Sequence, residues 1–309
     1  MIWKKLGFIF CAEKQNESMY FGGRAPIARY LSGDLFEIYF ASYDKNMCGS
    51  IFRLIININN PKDILELNTT PIITKGRIGY YDDNGIIPSS IIDIDDKIYL
   101  YTIGFSLKNK IIFDASSGLA ISDNGGESFE KINGPILDRG IDDPCFAASP
   151  NVLFDKDRYK MWFVSCDKWE TLEDGSHKHY YNIKYKESED GIVWDVRSKI
   201  CIDYENQFEY AISRPSVIVD GENDYKMWYS FRAQENIETY RIGYAESEDG
   251  ISWVRKDHLM AHFDVSEVGF DSDMLCYPHV FDHMCVRYML YNGNGYGRTG
   301  FGIAKMNKV

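Results

Sequence analysis

No stretch of about 18 apolar residues occurs in this 309-residue sequence, so no segment reads as a membrane-spanning helix. Runs of lysine and arginine are missing too, and 34 basic residues face 46 acidic ones for a net charge of −12. A surface with that balance repels phosphate backbones, which argues against a nucleic-acid partner. The seven cysteines are odd in number, scattered, and contain no CxxC pair. They read as reduced thiols in a cytoplasmic protein, not as a disulfide framework. Residues 6–12 form a short apolar run after Lys4-Lys5, but Glu13-Lys14 follows where a signal peptide would have small residues, so the run reads as a strand. The glycine-rich segment 292–297 opens no helix pattern, and so is no P-loop. His177 and His179 lack a third ligand nearby, so neither a metal nor a cofactor is expected.

Hydrophobic residues at 45% and charged residues at 26% are the balance of a globular chain, not a disordered one. Proline is scarce, at nine residues, yet five of them stand at 26, 88, 150, 215 and 278, spaced by 62, 62, 65 and 63. After each comes an apolar stretch, a polar turn and an aromatic-rich stretch. The residue thirteen positions on is aromatic every time: Tyr39, Tyr101, Phe163, Trp228 and Tyr291. Segments 185–194 and 244–253 are near copies (YKESEDGIVW and YAESEDGISW), each with an Asp-Gly pair suited to a tight hairpin. Short runs rich in Val, Ile, Tyr, Phe and Trp between such turns are strands. The repeat predicts an all-β chain, a five-bladed β-propeller of four-stranded antiparallel blades forming one domain over residues 1–309. The prolines are expected at the starts of the inner strands, where a ladder loses least. The last repeat is one strand short, and residues 6–10 are free to supply it by pairing with 300–305.

Residues just before the five prolines should gather around one funnel. Carboxylates recur there: Asp82 and Asp83, Asp142 and Asp143, Glu209, and Asp271 with Asp273. Converging acids push some pKa values up, and paired carboxyls are what glycoside chemistry uses. Each could equally cap a turn before its strand. Arg24 and Arg214 lie two and one residues before their prolines, His279 follows Pro278, and Arg232 follows the aromatic strand of the fourth repeat. Guanidinium forks suit carboxylate, phosphate or sugar hydroxyls, or pair with the neighbouring acids. Trp169, Tyr296 and Trp228 are candidates for stacking on sugar rings. Trp228 also occupies the repeated aromatic position, and Trp169 lies in an insertion, residues 166–179, that would overhang the funnel.

The segments Ser213-Arg214-Pro215-Ser216-Val217, Tyr225-Lys226-Met227-Trp228-Tyr229, Ser149-Pro150-Asn151-Val152 and the two SEDGIxW turns resemble the five-bladed propeller glycosidase superfamily. That superfamily contains arabinanases, levansucrases, invertases and mannoside phosphorylases. More narrowly, the chain is similar to uncharacterised propeller proteins associated with bacterial surface-polysaccharide synthesis. The resemblance implies Glu209 as proton donor and Asp82 or Asp143 as the acid that tunes it. The usual first-repeat acid is missing, with Arg24 near its place, and Asp271 or Asp273 could substitute as base. The expected catalytic set is therefore Glu209, Asp82, Asp143 and Asp271. Arg24, Asp83, Trp169, Arg214, Arg232, Asp273, His279 and Tyr296 are the expected binding set. The implied function is cleavage or transfer of a glycosidic bond on a carbohydrate or nucleotide-linked sugar, by hydrolysis, phosphorolysis or transfer. The alternative is a non-catalytic carbohydrate-binding propeller.

Overall fold

The computed structural model describes residues 1–232 and 238–307. The strands run β1 (Lys4–Phe10), β2 (Ala12–Glu13), β3 (Phe21–Ser32), β4 (Leu35–Tyr43), β5 (Gly49–Asn57) and β6 (Asn60–Ile73). They continue with β7 (Gly85–Ile94), β8 (Lys97–Ser106), β9 (Asp114–Ser122), β10 (Glu130–Lys131), β11 (Phe146–Asp155), β12 (Arg158–Thr171) and β13 (His177–Ser188). The rest are β14 (Lys199–Ile202), β15 (Ala211–Gly221), β16 (Asp224–Arg232), β17 (Arg241–Ser247), β18 (Val254–Arg255), β19 (Cys276–His283), β20 (Val286–Asn292) and β21 (Phe301–Asn307). Among the described residues helix is confined to two four-residue turns, Asp257–Met260 and Asn294–Gly297, so the chain is nearly all β. No helix among them is long and apolar enough to cross a membrane.

Antiparallel pairing takes the strands four at a time. β3 to β6 pair in order, as do β7 to β10, β11 to β14 and β15 to β18. In the last group β19, β20 and β21 are joined by β1, which runs antiparallel to β21 with Lys5 opposite Ala304 and Phe8 opposite Gly302. The run at residues 6–10 thus supplies the strand the last repeat lacks. The five recurring aromatics stand on the second strand of each group, and Tyr39, Tyr101, Phe163, Trp228 and Tyr291 are fully buried. Trp228 packs edge-on to Trp3 at 5.9 Å, so it is core and not a sugar platform.

The periodic prolines do not start the inner strands; they stand inside them. The pairing register breaks at every one: between Arg24 and Ile27, Pro88 and Ser90, Ala148 and Asn151, Ser213 and Ser216, and Cys276 and His279. A β-bulge is the physical reason, since it frees one residue from the ladder where proline has no N–H to give. At four of the bulges the residue before proline turns left-handed: Ala25 (φ 53°), Ser149 (60°), Arg214 (54°) and Tyr277 (57°). Polar side chains just past the prolines then tie each inner strand to the next. The Ser90 hydroxyl accepts from Val152 N at 3.1 Å, Asn151 Oδ1 from Val217 N at 2.9 Å, and Ser216 Oγ from Val280 N at 2.8 Å. Ala25 N donates to Asn292 Oδ1 at 2.7 Å, tying β3 to β20.

Candidate functional site

Those bulges aim their pre-proline side chains at a cavity of about 610 Å³. Ile87, Ser149, Arg214 and Tyr277 all line it, and so does Arg24, one residue before Ala25. Its volume lies in the range of small-ligand pockets, about 300–1,000 Å³.

Three guanidiniums reach the lining from separate elements: Arg24 on β3, Arg214 on β15 and Arg232 at the end of β16. Their hydrogen bonds go to neutral acceptors. Arg24 donates to the Tyr43 hydroxyl at 3.2 Å and the Gly295 carbonyl at 3.3 Å. Arg214, only 4% exposed, donates to the Pro88 carbonyl at 3.0 Å and to Ser89 Oγ at 3.2 Å. Arg232 donates to the Tyr296 hydroxyl at 3.2 Å, and its Nε is buried without a partner. Burial lowers the Arg214 guanidinium to about 10, which still leaves it charged at neutral pH. Burial, with Arg232 nearby, pushes the lining residue His179 down to about 4, so its imidazole is neutral.

Five tyrosines surround these cations. The Arg24 guanidinium lies 4.7 Å from the Tyr43 ring and 6.0 Å from Tyr296; Arg232 lies 4.6 Å from Tyr240 and 5.7 Å from Tyr296; Arg214 lies 5.7 Å from Tyr277. Tyr277 and Tyr296 stack at 6.4 Å and 25°, which draws the three cations around one aromatic pair. The Tyr181 and Tyr240 hydroxyls hydrogen-bond to each other. Tyr296 takes its place because the turn at Asn294–Gly297 holds it at φ 60°. The lining also includes the apolar Ile87, Ile103, Phe105, Phe113, Phe146 and Val164.

The carboxylates are placed elsewhere. Among the described residues no Asp or Glu lines the cavity. Each buried acid before an inner strand instead meets a cation from an outer strand of its own group. Asp82 meets Lys131 of β10 at 2.6 Å, and Asp143 meets Lys186 of β13 at 3.2 Å and Lys184 at 3.6 Å. Glu209 takes both arms of Arg255 on β18 at 2.8 Å. Asp271 meets Lys5 of β1 at 2.7 Å and accepts from the Tyr291 hydroxyl at 3.1 Å. This arrangement is that of the cap and the tie, an acid fastening the loop before an inner strand to the outer strands behind it. Asp83 accepts the Gly79 amide at 2.9 Å, and Asp273 is exposed.

Of the expected binding residues, Arg24, Arg214, Arg232 and Tyr296 line the cavity together. Trp169 does not line it. Residues 166–179 prove to be an extension of the β12–β13 hairpin, in which Trp169 pairs with His179 and packs on its ring at 4.6 Å. His279 also lies outside the lining; it stacks on Phe281 at 5.9 Å, and burial with Arg214 nearby pushes its pKa down to about 3. Tyr43, Tyr181, Tyr240, Tyr277, Ser149 and the whole apolar wall are not among the expected site residues, and His179, weighed there only as a metal ligand, lines the cavity as a neutral imidazole. The available signal was the position immediately before each proline, where Ile87, Ser149, Arg214 and Tyr277 stand; the acids five to seven residues earlier were the wrong offset for the lining. Among the described residues no cluster of three or more His, Cys, Asp or Glu is placed to hold a metal.

No family model matches the chain. It is 35% identical over 306 residues to an uncharacterized protein of Mycobacterium tuberculosis, covering 98% of this chain and 99% of that protein. Among solved structures it is similar to a glycoside hydrolase (TM-score 0.71, 16% identity, 99% of this chain and 92% of the other). It is also similar to an alpha-L-arabinofuranosidase from Lactobacillus brevis (TM-score 0.68, 14% identity, 96% and 94%). At these identities the likeness shows the fold alone.

Proposed function

Because this chain belongs to one family with the uncharacterized Mycobacterium tuberculosis protein and has a glycoside-hydrolase-like fold, we propose that it binds a carbohydrate in the arginine-lined cavity without cutting it by the two-carboxylate route. The lining carries this reading: three arginines, five tyrosines and, among the described residues, no carboxylate. Inverting and retaining hydrolysis both need two carboxyl groups flanking the scissile bond, about 5–9.5 Å apart. Asp82, Asp143, Glu209 and Asp271 act in this reading as structural ties. Tyrosine rings stack on the apolar face of a sugar while guanidinium forks take its polar groups. We further take the four-stranded groups to close as a five-bladed ring around the cavity, in one domain, with β1 on β21 as the latch. Bacterial surface-polysaccharide synthesis is the setting we attach to the reading, on resemblance alone.

A second reading is phosphorolysis or glycosyl transfer, in which phosphate attacks the bond or a nucleotide-linked sugar donates its glycosyl group. The same arginines favour it, because they offer a seat for phosphate. It requires Glu209, the match to the family proton donor, to leave Arg255.

The test is a screen of oligosaccharides, sugar phosphates and nucleotide sugars, read both by calorimetry and by mass. Binding with unchanged mass supports the binding reading. Turnover abolished by Glu209→Gln supports the second reading and overturns the first.

A further inference from the structure

One buried and two half-buried cations beside one cavity, Arg214 with Arg24 and Arg232, are costly for a fold to keep. Taking a guanidinium out of water carries an effective penalty of several kcal/mol unless a counter-charge accompanies it. Elsewhere the molecule provides one: buried Arg287 pairs with Asp220 and Asp282, and Arg255 pairs with Glu209 and Asp257. Around the cavity none is found among the described residues. Arg24, Arg214 and Arg232 bond only neutral oxygens, and no carboxylate among the described residues lies within ion-pair distance of them. Two buried polar atoms at the same lining, Arg232 Nε and Ser149 Oγ, have no hydrogen-bond partner among the described residues. In a chain of net charge −12, the cavity gathers three arginines and, among the described residues, no carboxylate.

The cations also share one target. Arg24 and Arg232 flank the Tyr296 ring, Arg214 lies by Tyr277, and those two rings stack. The buried Cys276 thiol feels all three charges at once. The same lining also has an apolar part, with Ile87, Ile103, Phe105, Phe113 and Phe146 presenting no polar side-chain atom.

We propose that the sugar held here is acidic, with a carboxylate or phosphate seated against Arg24, Arg214 and Arg232 and an apolar substituent against the isoleucine–phenylalanine wall. The missing counter-charge is then the ligand's own. This rests on the carbohydrate-binding reading above and adds the ligand class to it. Arg232 Nε supplies a charge-assisted donor to the anion, and the Ser149 hydroxyl a neutral one. The apolar wall buries an acyl, aryl or alkyl group, whose removal from water tightens binding.

The experiment is calorimetry in phosphate-free buffer on the full chain. The probes are neutral hexoses, the matching uronic acids and hexose phosphates, each series also as para-nitrophenyl glycosides, with inorganic phosphate and benzoate as sugar-free anions. An acidic member should bind at least about tenfold more tightly than its neutral counterpart, the worth of one charge-assisted hydrogen bond. Uronates against phosphates distinguish the two sources of charge, and the aryl glycosides should bind more tightly than the free sugars. Arg232→Gln and, independently, Arg24→Gln should erase the preference for acid; either variant suffices if the other fails to fold. Neutral and acidic sugars binding equally would overturn the acidic ligand and leave the carbohydrate reading standing. Phosphate or benzoate binding with no sugar bound would do the reverse. No binding by any probe overturns both.

Discussion

The indole N–H of Trp162 donates to the carbonyl of Gly250 at 2.7 Å, joining the second strand of one four-stranded group to the hairpin turn of the next. The Tyr101 hydroxyl does the same to Gly191 one group earlier, at 3.1 Å. Both glycines belong to the copied SEDG turns, and both are left-handed, at φ 75° and 72°. The repeat therefore encodes more than a turn: its glycine is the docking point for the neighbouring group's aromatic.

Replacing that glycine tests the joint. A Cβ at Gly250 would lie 3.2 Å from the Trp162 ring as well as sitting on a left-handed backbone. Gly250→Ala should destabilise by about 1–2 kcal/mol from the backbone conformation alone. A thermal melt should drop by roughly 2–5 °C for a chain of this size. An unchanged melt would mean the turn carries no strain and the joint no weight.

The N-terminal strand should matter more than its position suggests. Phe10 is buried, with its ring 5.0 Å from Phe40 and 6.2 Å from Phe301, and β1 covers the outer edge of β21. Deleting residues 1–12 bares that edge and removes Lys5 from Asp271. The truncated protein should melt several degrees lower and aggregate on heating, as light scattering would register. Full stability without those residues would refute the latch.

Glu209→Gln separates tie from catalyst. Gln keeps the shape but loses the charge that holds Arg255, so unfolding in urea should show a loss of about 1–3 kcal/mol. Carbohydrate affinity should stay within about twofold, because Glu209 does not line the cavity. A stable variant that has lost turnover of a sugar would return Glu209 to the chemistry.

The turn aspartates set an acid limb. Burial alone would raise Asp249, but the amides of Ser252 and Ile251 and the hydroxyls of Ser247 and Ser252 outweigh it and hold the carboxyl at about 2. Asp190 is likewise lowered, first by the Val193 amide. A carboxyl lower in the folded state than its usual 3.8 stabilises fully above that value, and the contribution is lost as pH falls toward 2. Stability measured between pH 5 and 2 should fall with a slope that Asp249→Asn makes shallower. An identical slope in the variant would assign the acid limb to other groups.

The sequence by itself determined the period of the fold. Proline spacing, the aromatic thirteen residues on and the copied Asp-Gly turns are local and repetitive, so strand content and the missing last strand were both legible. It also singled out Arg24, Arg214, Arg232 and Tyr296, which the fold brings to one cavity lining, although their offsets from the prolines differ. The fate of the acids was not legible, since each is settled by a partner distant in the chain: Lys131 lies 49 residues from Asp82, Arg255 46 from Glu209, and Lys5 266 from Asp271. The position before each proline recurs in the sequence, yet nothing local says that it faces inward. A bulge rotates one side chain relative to its neighbours, and only strands packed against one another decide which one. That rotation puts Arg214 and Tyr277 on the cavity wall, while the acids stay behind it, tied to their cations.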